Sequence, residues 1–288
     1  MKNDPSQQGK RFLKLFLTGN EARLGLTIVI VFLAVSLVVA VAGKSVVPYD
    51  PIKQNVGPAL ASPSTAHLMG TDNLGRDVFS RIVFATPNDL LVSFVVITSS
   101  FLVGIVLGGL AGYWGGILDE ILMRSTDVIF AIPALILAMS IAVILGPGLI
   151  HMMYALMIVW WPPYARLARG EALQISQKNF IESAKTSGTS TFTIFRRHLA
   201  RNILNPMLAY ATLDIGTVVV VYAGLSYLGL SVQPPTPDWG AMVSAYQDYL
   251  ISAPWLPLFP ALVIAAVVIG FSLLGNALRD TIESQSIS

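Results

Sequence analysis

Long apolar runs separated by polar stretches dominate the sequence. These runs occupy residues 24–43, 90–112, 128–165, about 206–230 and about 258–278. A helix needs roughly 20 apolar residues to cross a bilayer, so the run 128–165 is too long for one helix. Gly146-Pro147-Gly148 is its obvious break. The pattern therefore predicts an all-α, polytopic membrane protein with six transmembrane helices.

The first apolar run allows two interpretations. It ends in Ala40-Val41-Ala42, which resembles a signal-peptidase site, but it exceeds the roughly 7–15 residues of a signal-peptide core. A retained membrane span is favoured, with a cleaved signal peptide as the alternative. The predicted organisation is as follows: an N-terminal segment 1–23, a first span 24–43, a loop 44–89, and a core of five spans 90–285.

Basic residues near the span ends predict the orientation. The segment before the first span contains Lys2, Lys10, Arg11, Lys14 and Arg23. The loop 166–205 contains Arg166, Arg169, Lys178, Lys185, Arg196, Arg197 and Arg201, whereas the loop 231–257 has no Lys or Arg. We therefore expect a multi-pass protein of the cell membrane with both termini and loop 166–205 in the cytoplasm. Loops 44–89 and 231–257 would lie outside.

Composition excludes several other classes of protein. Hydrophobic residues make up 54% and charged residues 12%, against about 25% charged in a soluble domain. The net charge of +2, without a run of Lys and Arg, gives no reason to expect a nucleic-acid partner. The chain has no cysteine, and its three histidines lack metal-ligand spacing. No metal site is predicted.

The predicted spans contain few ionisable side chains. Asp214 is the main exception, and it either contacts a neighbouring helix or lines a wet pathway. Carriers and channels that move protons or ions usually contain more such residues. A secondary transporter is therefore the less favoured alternative, and any driving energy is expected to come from another chain.

The polar stretch 179–202 predicts a helix–turn–helix at the membrane surface. Apolar side chains at Phe192, Phe195, Leu199 and Ile203 fall on one helical face. Upstream, Phe180, Ile181 and Ala184 indicate another short helix. Gly188 can end the first helix, and Ser190 or Thr191 can cap the second. Such a unit can lie on anionic lipid or dock into a groove of a partner protein.

Four segments resemble the permeases of ABC importers. Glu182-Ser183-Ala184 followed by Gly188 is similar to their EAA loop, although Arg201 stands where the family usually has proline. The segments 70–81 (GTDNLGRDVFSR), 112–133 and 225–243 resemble signatures of the C-type dipeptide and oligopeptide permeases. The resemblance covers roughly residues 20 to 285 and implies the type I ABC importer permease fold.

The resemblance also implies partners and functional residues. A B-type permease, two ABC ATPases that bind ATP and Mg²⁺, and an external solute-binding protein are expected beside membrane lipid. This chain would bind no cofactor and would not be an enzyme. The residues implied for coupling to the ATPases are Glu182, Ser183, Ala184, Ser187, Gly188 and Thr189. Those implied for docking of the binding protein are Asp72, Arg76, Asp77, Asp238 and Trp239.

The expected substrate is a peptide, with oligosaccharide and nickel as alternatives. Many relatives carry a glutamate where this chain has Tyr222. An uncharged, aromatic passage would suit a neutral solute such as a sugar. Tyr222 and Asp214 are therefore the candidates for lining the pathway.

Overall fold

The computed structural model describes residues 16, 19–195 and 200–287, which form helices and connecting loops with a single isolated β-bridge. In chain order the helices are α1 (Asn20–Ala42), α2 (Val78–Trp114), α3 (Gly116–Phe130), α4 (Ala134–Leu145), α5 (Leu149–Ser176), α6 (Asn179–Thr186), α7 (Thr191–Ile194), α8 (Ala200–Tyr227), α9 (Trp239–Tyr246) and α10 (Trp255–Ile287). The all-α prediction is confirmed for these residues.

Four of the described helices are long and apolar enough to cross a membrane. They are α1, α2, α8 and α10, and the pair α3 and α4 adds a fifth if the two helices together form one bent span. α5 is 28 residues long, but His151, two tryptophans and two prolines lower its hydropathy. Length and composition thus support four or five spans, and the sixth stays a prediction.

The third predicted span is not one straight helix, which corrects the sequence-based expectation. α3 ends at Phe130, α4 begins at Ala134, and the two helices are bent by 88°. Pro133 lies in the break; proline lacks a backbone N–H and disfavours helical geometry in the preceding residue. α4 alone, with 12 residues, is about 18 Å long, too short for a hydrocarbon core of roughly 30 Å.

The predicted break after the third span lies where the sequence places it. α4 ends at Leu145 and α5 begins at Leu149. Gly146 has φ +85° and Gly148 has φ +147°, a region of backbone conformation that favours glycine. The two glycines therefore allow the chain to turn between α4 and α5.

The helices α2 and α5 form the closest packed pair of the core. Gly104, Gly108 and Gly112 repeat every four residues on α2 and face the backbone of α5. A Cβ atom at Gly108 would lie 2.0 Å from the carbonyl oxygen of Ala165. Small residues at this spacing let helices approach closely, which is the main source of packing energy between helices in lipid. These glycines fix the separation of α2 and α5.

Candidate functional site

The segment that resembles the EAA loop forms a short helical hairpin. We use "hairpin" for α6, residues 187–190 and α7. α6 begins three residues after the end of α5. Ile181 on α6 and Ile194 on α7 are almost fully buried in the hydrophobic core. One isoleucine from each helix therefore anchors the hairpin to the body of the protein.

The turn of the hairpin has the geometry that the sequence predicts. Gly188 has φ +74°, and a Cβ atom at this position would meet no other atom within 4 Å. The glycine is thus required by its backbone conformation rather than by lack of space. The Oγ of Ser190 accepts a weak hydrogen bond from the N–H of Thr193 at 3.4 Å, so Ser190 acts as the predicted cap.

The predicted coupling residues lie together along the hairpin. Ser183, Ser187 and Gly188 are exposed, and Thr189 is half-buried. The hydroxyl groups of Ser183 and Ser187 donate to the carbonyl oxygens of Asn179 and Ser183, at 2.9 and 2.7 Å. The polar group that replaces an alanine of the motif is thus satisfied within α6. Glu182 and Ala184 lie on the same helix, but the placement of their side chains lies outside the described residues.

The apolar stripe predicted downstream of the turn is described in part. Ile203 is fully buried, and the ring of Phe195 lies against Gly109 on α2. These two positions therefore face the core. The side chains of Phe180, Lys185, Phe192, Ala200 and Arg201, and residues 196–199 entirely, lie outside the described residues.

Two ion pairs tie the end of α5 to α3. Arg169 donates to both carboxylate oxygens of Asp119, with Nη2–Oδ2 at 2.7 Å. Arg166 pairs with Asp127 at 2.5 Å and lies over the ring of Phe130, 4.3 Å from its centroid. Sequence reasoning missed these pairs, since their partners are 39 and 50 residues apart. The part of α5 that leads into the hairpin is therefore joined to α3.

A second region surrounds the first turns of α2. The buried polar cluster, as we name it, consists of Asp72, Arg76, Asp77, Arg81, Asp89, Tyr222, Asp238, Trp239 and Tyr246. All nine residues are at most 9% exposed. Phe195 of the hairpin region lies at Gly109, 20 residues beyond Asp89 on α2, or about 30 Å along the helix. The hairpin and the cluster thus lie at opposite ends of α2.

Asp72 organises the loop that precedes α2. Its Oδ1 accepts hydrogen bonds from the N–H groups of Leu74 and Arg76, both at 2.9 Å. Its Oδ2 accepts from Nε of Arg76 at 2.6 Å and from the hydroxyl of Tyr246 at 3.0 Å. Burial raises the pKa of Tyr246 to about 12, and the charge of Asp72 acts in the same direction. Tyr246 therefore remains a hydrogen-bond donor at neutral pH.

Asp77 begins α2. Its Oδ2 accepts from the N–H of Ser80 at 2.8 Å, which is an N-cap contact. Its Oδ1 lies 2.9 Å from Nδ1 of His67, whose ring packs on Tyr49. The carboxylate thus joins the preceding loop to the start of the helix.

Asp238 and Trp239 connect α9 to α2 and α8. Asp238 caps α9 through the N–H of Ala241 at 3.1 Å and accepts from the hydroxyl of Tyr222 at 2.5 Å. The indole Nε1 of Trp239 donates to the carbonyl of Ile82 at 3.0 Å. The phenol that replaces the family's glutamate is therefore a donor to Asp238.

The five residues expected to contact a binding protein are buried. Asp72, Arg76, Asp77, Asp238 and Trp239 all make contacts within the chain, as described above. Their carboxylates accept hydrogen bonds from within the chain and so contribute to folding, and the docking role of these residues stays a prediction. The exposed side chains near this end include Gln247, Leu250 and Ile251, and Ile251 is 98% exposed.

The two candidate pathway residues also make internal contacts. Asp214 accepts from Nε1 of Trp160 at 2.7 Å and from the hydroxyl of Tyr164 at 3.0 Å. It therefore makes the contact to a neighbouring helix that the sequence left open as one alternative. Tyr222 is buried and bonded to Asp238. The structure does not bring Asp214 and Tyr222 together, since they are separated by eight residues on α8, about 12 Å.

No group of three or more His, Cys, Asp or Glu side chains that could hold a metal ion occurs in the part of the chain that the structure describes. The acidic side chains of the buried polar cluster, and Asp119 and Asp127 on α3, are instead engaged mainly with arginines, hydroxyl groups and backbone N–H groups.

Comparison with known proteins identifies relatives over most of the chain. Residues 104–286 match the model of the family described as "Binding-protein-dependent transport system inner membrane component". The chain is 39% identical over 238 residues to the probable D,D-dipeptide transport system permease protein DdpC of Escherichia coli K12, covering 83% of this chain and 80% of the relative.

Two further relatives have similar identity. The dipeptide transport system permease protein DppC of Alkalihalophilus pseudofirmus is 39% identical over 224 residues, covering 78% of this chain and 74% of the relative. The glutathione transport system permease protein GsiD of Pectobacterium atrosepticum is 39% identical over 221 residues, covering 77% and 73%.

Proposed function

The chain belongs to the family of binding-protein-dependent transport system inner membrane components, and we propose that it is the permease subunit of an ATP-driven importer of di- and oligopeptides. It would form half of the translocation pathway. The observation that carries the proposal is the identity of 39%, over most of the chain, to relatives whose names specify dipeptide and glutathione transport. Oligosaccharide and nickel are the alternative substrates.

The proposed assembly contains a B-type permease, two ABC ATPases and an external solute-binding protein. ATP and Mg²⁺ would be bound by the ATPases, and this chain would perform no catalysis. The hairpin is the proposed contact to an ATPase, with Glu182, Ser183, Ala184, Ser187, Gly188 and Thr189 along it. Its exposed hydroxyl groups and its two buried isoleucines support this role, because a docking element must be accessible and yet attached firmly to what it moves.

The proposed route of coupling runs from the hairpin into the membrane helices. α6 follows α5 after two residues, α5 packs against the glycines of α2, and Arg166 and Arg169 join α5 to α3. A rigid-body shift of the hairpin would therefore move α5 with α2 and α3. Such a shift fits alternation between inward-facing and outward-facing arrangements.

We propose six spans, with α5 as the one that composition alone does not identify. Its 28 residues extend about 42 Å, enough to cross a bilayer. The residues that lower the hydropathy of α5 are tolerated there because much of the helix is buried against other helices. Met152, Leu156 and Tyr164 are examples of its buried side chains. Both termini would then lie in the cytoplasm, and Gln247, Leu250 and Ile251 would face the binding protein.

The test is reconstitution of the chain with its partner permease, ATPases and binding protein in liposomes. ATP hydrolysis and uptake should rise when the binding protein is added with a dipeptide, but not with an oligosaccharide or Ni²⁺. Stimulation by one of the other two solutes would reassign the substrate and keep the ABC role. Uptake driven by a proton gradient without an ATPase would show a secondary transporter and refute the proposal.

A further inference from the structure

The carboxyl group of Asp89 lies inside the protein, and one of its oxygens has no hydrogen bond. The residue is 1% exposed. Its Oδ2 accepts a hydrogen bond from the backbone N–H of Trp239 at 3.3 Å, whereas Oδ1 has no hydrogen-bond partner among the described residues. Burying an ionised carboxylate without donors is strongly unfavourable. The Oδ1 atom therefore needs a donor or a proton of its own.

Asp238 lies beside Asp89 and, unlike Asp89, accepts hydrogen bonds from several donors. Asp238 immediately precedes Trp239, whose backbone N–H donates to Oδ2 of Asp89, so the two carboxyl groups are neighbours. Asp238 is 0% exposed. It accepts hydrogen bonds from four groups: the hydroxyls of Tyr222, Ser226 and Ser231 and the backbone N–H of Ala241. It also caps α9, whose helix dipole favours negative charge. Donors stabilise the ionised form of a carboxyl group, so the negative charge belongs on Asp238.

We propose that Asp89 holds a proton at neutral pH and donates it from Oδ1 to Asp238, so that the pair carries one negative charge. Adjacent buried carboxyl groups avoid double ionisation in this way. An ionised carboxylate has about four acceptor positions. The hydroxyl of Ser231 lies 2.6 Å from that of Ser226 and can donate to it instead, which leaves the fourth position on Asp238 free for Asp89.

The surroundings of the pair contain few other charges. The hydroxyl of Tyr222 on α8 donates to Asp238 at 2.5 Å. Arg76 and Arg81 line the small cavity next to Asp238, but Arg76 pairs with Asp72 and Arg81 donates to the carbonyl of Pro51 at 2.8 Å.

The neighbouring membrane helices add no charge to the pair. α1 has no ionisable residue between 24 and 42, and α10 has none between 255 and 278. The cations nearest to the pair are therefore Arg76 and Arg81, which bond to Asp72 and to the carbonyl of Pro51.

The proton would join three elements that are distant in sequence. Asp89 belongs to α2, Asp238 precedes α9, and Tyr222 belongs to α8. Removing the proton would place a second negative charge beside Asp238 in a site closed to water. The loop before α9 would then separate from α2, which makes the pair a proton-dependent latch between them.

Infrared spectroscopy of the purified full-length chain tests the proposal. At neutral pH the wild type should show a carboxylic-acid C=O band that shifts in D₂O and is lost in Asp89→Asn. Asparagine keeps a donor toward Asp238, so the variant should retain wild-type helical content and melting temperature. The matched control is Asp214→Asn, another buried carboxyl group of a core helix, in which the band assigned to Asp89 must persist.

Two results would overturn the proposal. If Asp89→Asn leaves the carboxylic-acid region of the infrared spectrum unchanged, Asp89 is ionised in the wild type. A rise in melting temperature of the wild type, but not of Asp89→Asn, on exchanging choline chloride for sodium chloride would mean that a cation occupies the pair. If Asp89→Asn fails to fold, the infrared spectrum of the wild type with ¹³C-labelled aspartate carboxyl groups tests the proposal instead. An acid band that moves with the label and persists in Asp214→Asn supports the proton, and its absence refutes it.

Discussion

The hairpin and the buried polar cluster, at opposite ends of α2, are stabilised in opposite ways. In the hairpin, the described polar side chains bond to their own or an adjacent turn, and two isoleucines provide the attachment to the core. In the cluster, side chains from the loop before α2, from α2 itself, α8 and α9 bond to one another across up to 174 residues. The contrast indicates a unit that can move as a body at one end and a fixed frame at the other.

The strongest test of this contrast removes an acceptor from the cluster. Asp238→Ala would leave the hydroxyl groups of Tyr222 and Ser226 and the N–H of Ala241 without their acceptor. We expect a loss of at least about 3 kcal/mol in the free energy of unfolding, because buried unpaired donors are costly. Thermal unfolding in detergent measures the loss. Asp248→Ala, at an exposed carboxylate of the same loop, is the control. Equal melting temperatures of the two variants would contradict the interpretation of the buried polar cluster as a fixed frame.

The second test strains the hairpin without touching the cluster. Gly188→Val places a β-branched side chain at φ +74°, which costs about 1–2 kcal/mol. We expect peptide uptake in the reconstituted importer to fall roughly tenfold while the melting temperature falls by only a few degrees. Gly170→Ala, at an open helical position, should transport normally. A large loss of stability with uptake intact would show that the turn serves folding rather than coupling.

The third test weakens the link between the hairpin and α3. Arg169→Ala breaks the two hydrogen bonds to Asp119, and a double-mutant cycle with Asp119→Ala should give a coupling energy of about 0.5–1 kcal/mol, since the pair is partly exposed. The coupling should shrink at high salt. Arg124→Ala, an exposed arginine on α3, is the control. A zero coupling energy would remove the pair from the proposed route.

The smallest effect is expected at the exposed ion pair of Lys44 and Asp50. The hydrogen bond from Lys44, at 2.8 Å, lowers the pKa of Asp50. A lowered carboxyl pKa means that the stabilisation is present above the unfolded value of about 3.9 and is lost as pH falls through the folded value. Comparing the melting temperatures of wild type and Asp50→Asn, we expect a slight difference at neutral pH that disappears in acid. A difference that grows in acid would contradict this sign.

Local sequence features predict local structure well in this chain. The break at Gly146-Pro147-Gly148, the turn at Gly188 and the cap at Ser190 lie where their residue types place them. Each depends on backbone preferences within a few residues, which the sequence displays directly.

The bend between α3 and α4 shows where local reasoning fails. Pro133 is visible in the sequence, but the apolar residues on both sides of it suggest a continuous span. Hydrophobicity reports that a segment avoids water; it does not report whether the segment is straight.

The candidate sites divide in the same manner. The sequence predicts the coupling segment because its residues are contiguous and their helical spacing is visible. The resemblance implies a docking role for Asp72, Asp77 and Asp238, but the sequence does not show that they are buried, because their donors come from Arg76, His67 and Tyr222 through folding. Asp89 carried no sequence signal at all, and its neighbour Asp238 is 149 residues away.

The sequence by itself determined the membrane class, the all-helical architecture and the hairpin, because hydrophobic length, glycine and proline act within one segment. Only the tertiary structure decided which polar groups are buried and which remain accessible. Burial depends on what packs around a side chain: the same aspartate is a surface charge beside water and an internal acceptor beside Tyr222 and Ala241. Only the packing of α2 against α8 and α9 leaves one oxygen of Asp89 buried without a hydrogen bond.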